Sequence, residues 1–165
     1  MLRNVVGNPM HANELAAALP GHDVVLSVLG TRGLGSTSVL ADSVQSTIEA
    51  MVRVNQRRLV ILSSVLLDSG LEWVPRLIGS TVLRHHVRDQ RAMEKQITAS
   101  GLDWTVIRAS RFNHGGFTGQ YVVSAESENA VRAPISCEDV ACLMLDIAER
   151  GDCVRQVVRI CGATR

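Results

Sequence analysis

Residues 23–37 read DVVLSVLGTRGLGST, and the fold is decided there. Asp23 to Leu29 is an almost unbroken apolar run of strand length. Such a run suits a strand buried on both faces, which is the mark of a parallel sheet. The glycines at 30, 33 and 35 turn the chain, and Ser36 or Thr37 can cap a helix. That helix continues through Leu40, Val44, Ile48 and Met51/Val52, an apolar stripe of helical period. The same alternation recurs downstream. Leu59 to Leu62 reads as a second buried strand ending in Ser63 and Ser64. A helix over 82–100 turns Leu83, Val87, Met93 and Ile97 inward and stops at Gly101. Asp103 to Ile107 is a third strand. Tyr121–Ser124 and Val131–Ala133 read as a hairpin around Glu128-Asn129. Ser136-x-x-Asp139 has the spacing of a capping box opening a helix to Glu149, stopped by Gly151. Val154 to Ile160 is a last strand. Upstream, Val5-Val6-Gly7 reads as a strand end, and Pro9 to Pro20 carries a short helical pattern closed by Gly21. Strand and helix alternate throughout, so the expectation is one α/β domain: a parallel sheet with helices on both faces.

Composition narrows the function classes. The chain has 165 residues, 46% hydrophobic and 20% charged, with a formal net charge of +1. That balance excludes a disordered chain and gives no overall attraction to nucleic acid or anionic lipid. The longest apolar stretch, Leu59 to Leu67, is broken by two serines and is far short of the roughly 20 residues of a bilayer span. MLRNVVGNPM has no apolar segment followed by small residues, so no secretory leader is expected. Aromatic residues are 3%, too few for a base-stacking platform. Lys95 is the only lysine. Cys137, Cys142, Cys153 and Cys161 form no CxxC pair, so neither a metal site nor a disulfide is expected and a reducing, cytoplasmic setting follows.

Ligands of open α/β sheets bind beyond the carboxyl ends of the strands. Four segments lie there: Gly7-Asn8, Gly30 to Ser36, Ser63 to Asp68 and Arg108 to Gly119. The glycines at 30, 33 and 35 could let backbone N–H groups cradle a phosphate. Their spacing is neither GxGxxG nor GxxxxGK, so a plain strand-to-helix turn stands beside that reading. Ser63 and Ser64 suit a hydroxyl that binds a ligand better than a nucleophile, since LSSVL is not the GxSxG elbow; a simple strand end is the other reading. His85 and His86 diverge by about 100° on a helix and do not share a metal. With Arg84, Arg88 and Arg91 they make a basic face, either solvated or a phosphate or partner contact.

The order of these motifs resembles a known family. VVGNPMHANELAAALPGHDVVLSVLGTR (5–32), LVILSSVLL (59–67), AMEKQITASGLDWTVIRAS (92–110), GFTGQYVV (116–123) and ISCEDVACLML (135–145) are similar, in order, to segments of atypical short-chain dehydrogenases/reductases with NAD(P)H-binding, NmrA-like domains. LGTR, the serines after 62 and FTGQYVV give the strongest likeness to the biliverdin reductase B/flavin reductase branch. The resemblance implies a single incomplete Rossmann-like domain over 1–165. It implies NADP or NAD as cofactor and hydride transfer to a flavin, quinone or similar planar acceptor. By position it puts Asn8 near the adenine, and Leu29, Gly30 and Thr31 beside the ribose and nicotinamide. Ser63, Arg108 and Ala109 flank the nicotinamide, Ser64 is the catalytic hydroxyl, and Arg111 and Phe112 face the substrate.

The sequence also departs from that family. Its opening strand, GxxGxxG turn, helix and second strand have no counterpart here, so the expected sheet is truncated at the N-terminus. The family's aspartate is Asn8, its Arg-Pro is Arg108-Ala109, and no Tyr-x-x-x-Lys pair is present, since Ala125 follows Tyr121 by four. A central strand at Val24–Leu29 would then have a bare edge. Leu2–Val6 could slide in beside it, two chains could pair edges, or folding could need help; re-pairing with homodimerisation is the expectation. The alternative function is a catalytically inactive relative that senses dinucleotides or binds other proteins. The turn at 30–36 is a candidate to restore part of a weakened phosphate contact.

Overall fold

The computed structural model describes residues 3–30, 37–67, 84–125 and 133–163. In chain order the elements are helix α1 (Ala12–Ala18), strand β1 (Val25–Ser27), helix α2 (Val39–Arg53), strand β2 (Arg58–Ser64) with a 3-10 turn at Val65–Leu67, helix α3 (Arg84–Ala99), strand β3 (Asp103–Ala109), strand β4 (Tyr121–Ala125), helix α4 (Cys137–Arg150) and strand β5 (Gln156–Gly162). The strands make one sheet in the order β1-β2-β3-β5-β4. The pairs β1–β2, β2–β3 and β3–β5 are parallel, and β4 runs antiparallel to β5.

Side-chain alternation along the strands divides the core in two. Leu59, Ile61, Trp104 and Val106 face one way and pack with Leu40, Val44 and Met51 of α2 and Met93 and Ile97 of α3. Val60, Ile107, Val158 and Ile160 face the other way and pack with Val140, Leu143, Met144 and Ile147 of α4. The parallel α/β architecture with helices on both faces therefore stands; of the stripes read from the sequence, Leu40, Val44, Met51, Met93 and Ile97 are buried, Ile48 and Val87 are half-buried, Val52 is exposed, and Leu83 lies outside the described residues. Two terminators also act as the sequence suggests. Ser136 caps α4 by accepting the Asp139 N–H at 3.0 Å, and Gly151 closes it in the left-handed region at φ 69°.

Three expectations are corrected. Arg3–Val6 form no strand, and Val5 and Val6 are 62% and 102% exposed. Two valines bury too little apolar surface to offset the ordering of a strand, so the segment does not slide in beside β1. The strand expected over Asp23–Leu29 contracts to Val25–Ser27, paired among the described residues with β2 alone, and Val28 and Leu29 are exposed. The strand at Tyr121–Ala125 pairs with β5, in the register Tyr121↔Gly162 to Ala125↔Val158, rather than with Ala133, which makes its own isolated bridge to Gly162. A Cβ at Gly162 would stand 2.4 Å from the Pro134 carbonyl oxygen, so this close crossing needs glycine.

Candidate functional site

Parallel register brings the strand ends together. Ser63 lies opposite Arg108 and Ser64 opposite Ala109. Ser27 of β1 is opposite Ile61, so Leu29 and Gly30 run out toward the same end. Of the residues expected at the site, Leu29, Gly30, Ser63, Ser64, Arg108 and Ala109 thus share one end of the sheet. Thr31 lies outside the described residues. Asn8 is engaged locally: its Oδ1 accepts the Met10 N–H at 3.0 Å, its Nδ2 is 3.2 Å from His11 Nε2, and its own N–H donates to Glu14. It shapes the entry to α1.

The same alternation that divides the core splits the neighbouring candidates. Ser63 and Arg108 turn toward α3, where both meet Glu94. The Ser63 hydroxyl donates to Glu94 Oε1 at 2.6 Å, and Arg108 donates from Nε at 3.2 Å and from Nη2 to Oε2 at 2.7 Å. The Arg108 and Glu94 side chains are 8% and 11% exposed. These groups tie β2 and β3 to α3 from below, and any role at the cleft falls to their main chain. Ser64 and Ala109 belong to the α4 side. The Ser64 hydroxyl accepts the Leu66 N–H at 3.2 Å, which keeps its own O–H available as a donor.

On that side a cavity of about 540 Å³ opens between β1 and α4. Leu26 and Val28 form one wall, Val140 and Met144 another, with Leu62 at the floor and Phe112 at the mouth. Phe112 is held by the chain around it. It bridges Ile135, with the Asn113 N–H donating to the Ile135 carbonyl and the Ile135 N–H to that of Arg111. Farther along, Asp139 clamps the same loop. Its carboxylate accepts the Thr118 N–H and hydroxyl, the Gly119 N–H and the Ser136 hydroxyl, at 2.8 to 3.0 Å. Burial pushes this carboxyl up, but the donors, led by Thr118, outweigh it and hold the pKa at about 2. Arg111 beside Phe112 is exposed.

A dinucleotide needs room for its nicotinamide and donors for its pyrophosphate. Space exists at the strand ends, since a Cβ built on Gly30 meets nothing within 4 Å, and the Ser64 hydroxyl can donate to a carboxamide. The phosphate side is different. Helix α2 starts at this end, but Asp89 of α3 already fills its N-terminus, accepting Leu40 N–H at 3.1 Å, Ala41 N–H at 3.0 Å and the Thr37 hydroxyl at 3.3 Å. A pyrophosphate there would meet a buried carboxylate instead of open N–H groups. The Leu40 and Ala41 N–H groups are thus not open to an anion, and the phosphate role expected of residues 31–36 lies outside the described residues. The nicotinamide end fits the described residues and the pyrophosphate end does not.

Asp89 and Glu94 were not singled out from the sequence, yet a signal was there. Asp89, Met93 and Ile97 fall at successive steps of four, so an acid occupies the inward stripe. Glu94 lies three before Ile97 on the same side. Among the described residues no group of His, Cys, Asp or Glu could hold a metal ion, and no helix is long and apolar enough to cross a membrane.

The solved structures similar to this chain share its fold. An oxidoreductase from Lactococcus lactis superposes with a TM-score of 0.82 at 17% identity, over 98% of this chain and 72% of its own. A short-chain dehydrogenase/reductase from Veillonella parvula, solved with NADP, gives 0.77 at 21% identity, over 95% and 70%. A protein assigned as an NADH-flavin reductase from Streptococcus pneumoniae gives 0.72 at 14%, over 96% and 80%. A family model described as NAD(P)H-binding matches residues 1–150. With that match covering nearly all of the sequence, the chain belongs to the NAD(P)H-binding family.

Proposed function

We propose that this protein is an NAD(P)H-dependent oxidoreductase that reduces a small planar acceptor such as a flavin or quinone. The observation that carries the reading is the pairing of a donor hydroxyl with an apolar chamber: Ser64 at the strand ends, and beside it the cavity with Phe112 at its mouth. The cofactor supplies a hydride, and solvent supplies the acceptor's proton. The Ser64 hydroxyl orients a carboxamide or an acceptor carbonyl. Leu29, Gly30 and the main chain of Ser63, Arg108 and Ala109 line the nicotinamide end. Phe112 lays a ring against the acceptor, and Arg111 offers it a cation from the exposed side. The Ile135 bridge and the Asp139 clamp hold the loop that carries Phe112. A reducing cytoplasmic setting agrees with this chemistry. The proteins assigned as oxidoreductase and NADH-flavin reductase among the fold neighbours support the reaction class.

A second reading, a dinucleotide-sensing or interaction module without turnover, draws on the Asp89 cap at α2. Fluorescence titration with NADPH separates the two, followed by flavin reduction monitored through NADPH absorbance. Saturable binding with turnover, both impaired in Ser64→Ala, supports the reductase. Binding without turnover of flavins or quinones supports the sensor, and no binding at millimolar NADPH contradicts the reductase and leaves the interaction module.

A further inference from the structure

We infer that Glu94 is a positioning residue for the cofactor site: it sets the direction of the Ser64 hydroxyl by gripping the strand ends from the opposite face of the sheet. The inference rests on the cofactor reading above and adds to it a residue that touches neither cofactor nor acceptor.

On the α3 side the two central strands are apolar until their ends. Leu59 and Ile61 of β2 and Trp104 and Val106 of β3 pack against α2 and α3. The next positions on that face are Ser63 and Arg108, buried and directly opposite each other. Buried Glu94 meets both. Its Oε1 accepts the Ser63 hydroxyl at 2.6 Å and Arg108 Nε at 3.2 Å, and its Oε2 accepts Arg108 Nη2 at 2.7 Å. One carboxylate thus spans the rung immediately before the pair Ser64 and Ala109.

Stability does not account for this choice of side chains. A buried ion pair contributes little relative to apolar groups of the same volume, because the desolvation of both charges offsets their attraction. What hydrogen bonds add is direction, since they weaken steeply when bent, whereas apolar contacts tolerate sliding. The place where direction matters is the next residue. Ser64 is the last residue of β2, and beyond it the chain leaves the sheet in the turn Val65–Leu67. The peptide unit joining 63 to 64 is planar and stiff, and successive side chains point to opposite faces. Holding Ser63 from the α3 side therefore aims Ser64 into the α4 side without filling the cleft. Binding groups placed in this way depend on the residues that lock them.

The experiment loosens the grip from outside the cleft. Ser63→Ala deletes one bond to Glu94 and keeps the Glu94–Arg108 pair. Glu94→Gln leaves one acceptor oxygen for both donors. Two readouts follow: the Leu66 amide signal in NMR, because that N–H donates to the Ser64 hydroxyl oxygen, and NADPH affinity by fluorescence titration. In both variants the Leu66 signal is expected to move part of the way toward its position in Ser64→Ala. Ser63→Ala is expected to weaken NADPH binding about threefold, half on the free-energy scale of the tenfold from one hydrogen bond. In a Ser64→Ala background the same change is expected to add less than about 1.5-fold, because the two act through one hydroxyl. Ile97→Ala, which destabilises the same face away from the strand ends, is expected to leave affinity within about twofold of wild type and the Leu66 signal in place. Should Glu94→Gln fail to fold, Ser63→Ala decides alone. An unmoved Leu66 signal overturns the positioning. Undiminished NADPH affinity in Ser63→Ala, or a loss that adds in full to that of Ser64→Ala, overturns its role in the cofactor site. Absence of NADPH binding by the wild type overturns the cofactor reading instead, and the Leu66 signal then decides whether Glu94 places Ser64.

Discussion

The two faces of the sheet are built from the same kinds of aliphatic side chains and are finished differently. On the α2/α3 face two strand-end polar groups are taken inward. Ser63 and Arg108 converge on Glu94, and Asp89 closes the start of α2. On the α4 face the layer stops short of β1, and Ser64, Phe112 and the cavity remain accessible from outside. Two serines adjacent in sequence are thereby assigned different tasks by strand alternation alone. Ser63 is a tie in the core; Ser64 accepts the Leu66 N–H at the strand end and is the proposed donor at the cleft. Charged groups are affordable inside the closed face only because they satisfy one another.

The largest effect expected from breaking this contrast is at Glu94. Glu94→Ala removes the carboxylate that pairs with the buried Arg108 guanidinium and is expected to cost about 3–5 kcal/mol in urea unfolding. Ile97→Ala, which opens a hole in the same face, is expected to cost about 2–5 kcal/mol. Asp139 sharpens the contrast from the other side, since Asp139→Ala leaves the Thr118 and Gly119 donors unpaired, at about 1–3 kcal/mol. Its folded pKa of about 2 lies below the ordinary 3.8. The stabilisation is therefore complete above pH 4 and is lost as pH falls through 2. Unfolding curves of wild type and variant should converge in that window, and a constant gap would contradict the clamp. The smallest structural effects belong to the open face. Ser64→Ala and Leu145→Ala are each expected to stay within about 0.5 kcal/mol of wild type. Ser64→Ala is nonetheless expected to weaken NADPH binding by about tenfold, the loss of one hydrogen bond.

The layers were legible because burial leaves a period in the sequence. Leu40, Val44 and Met51 mark α2, and the unbroken run at 59–62 and the DWTVI segment at 103–107 mark central parallel strands. Local signals also carried through, as at Ser136, Asp139 and Gly151. What the sequence could not disclose was pairing across distance. Nothing within Tyr121–Ala125 says that its partner is β5, thirty-odd residues on. The strand ends were foreseen as a group, but the partner that ties Ser63 down is Glu94, which arrives from a different element. The turn at 30–36 invited a phosphate reading because its own glycines permit it; the obstacle is Asp89, about fifty residues away. Asn8 was placed by likeness, and its observed partners are immediate neighbours.

Hydrogen exchange with and without saturating NADPH tests the assignment of the cleft most directly. The account predicts slowed exchange at Ser64–Leu66 and at Ser110–Asn113, with the amides of Leu40, Ala41 and His85–Arg88 unchanged. Protection confined to Leu40, Ala41 and His85–Arg88 would put the cofactor against α2 and α3 and contradict it.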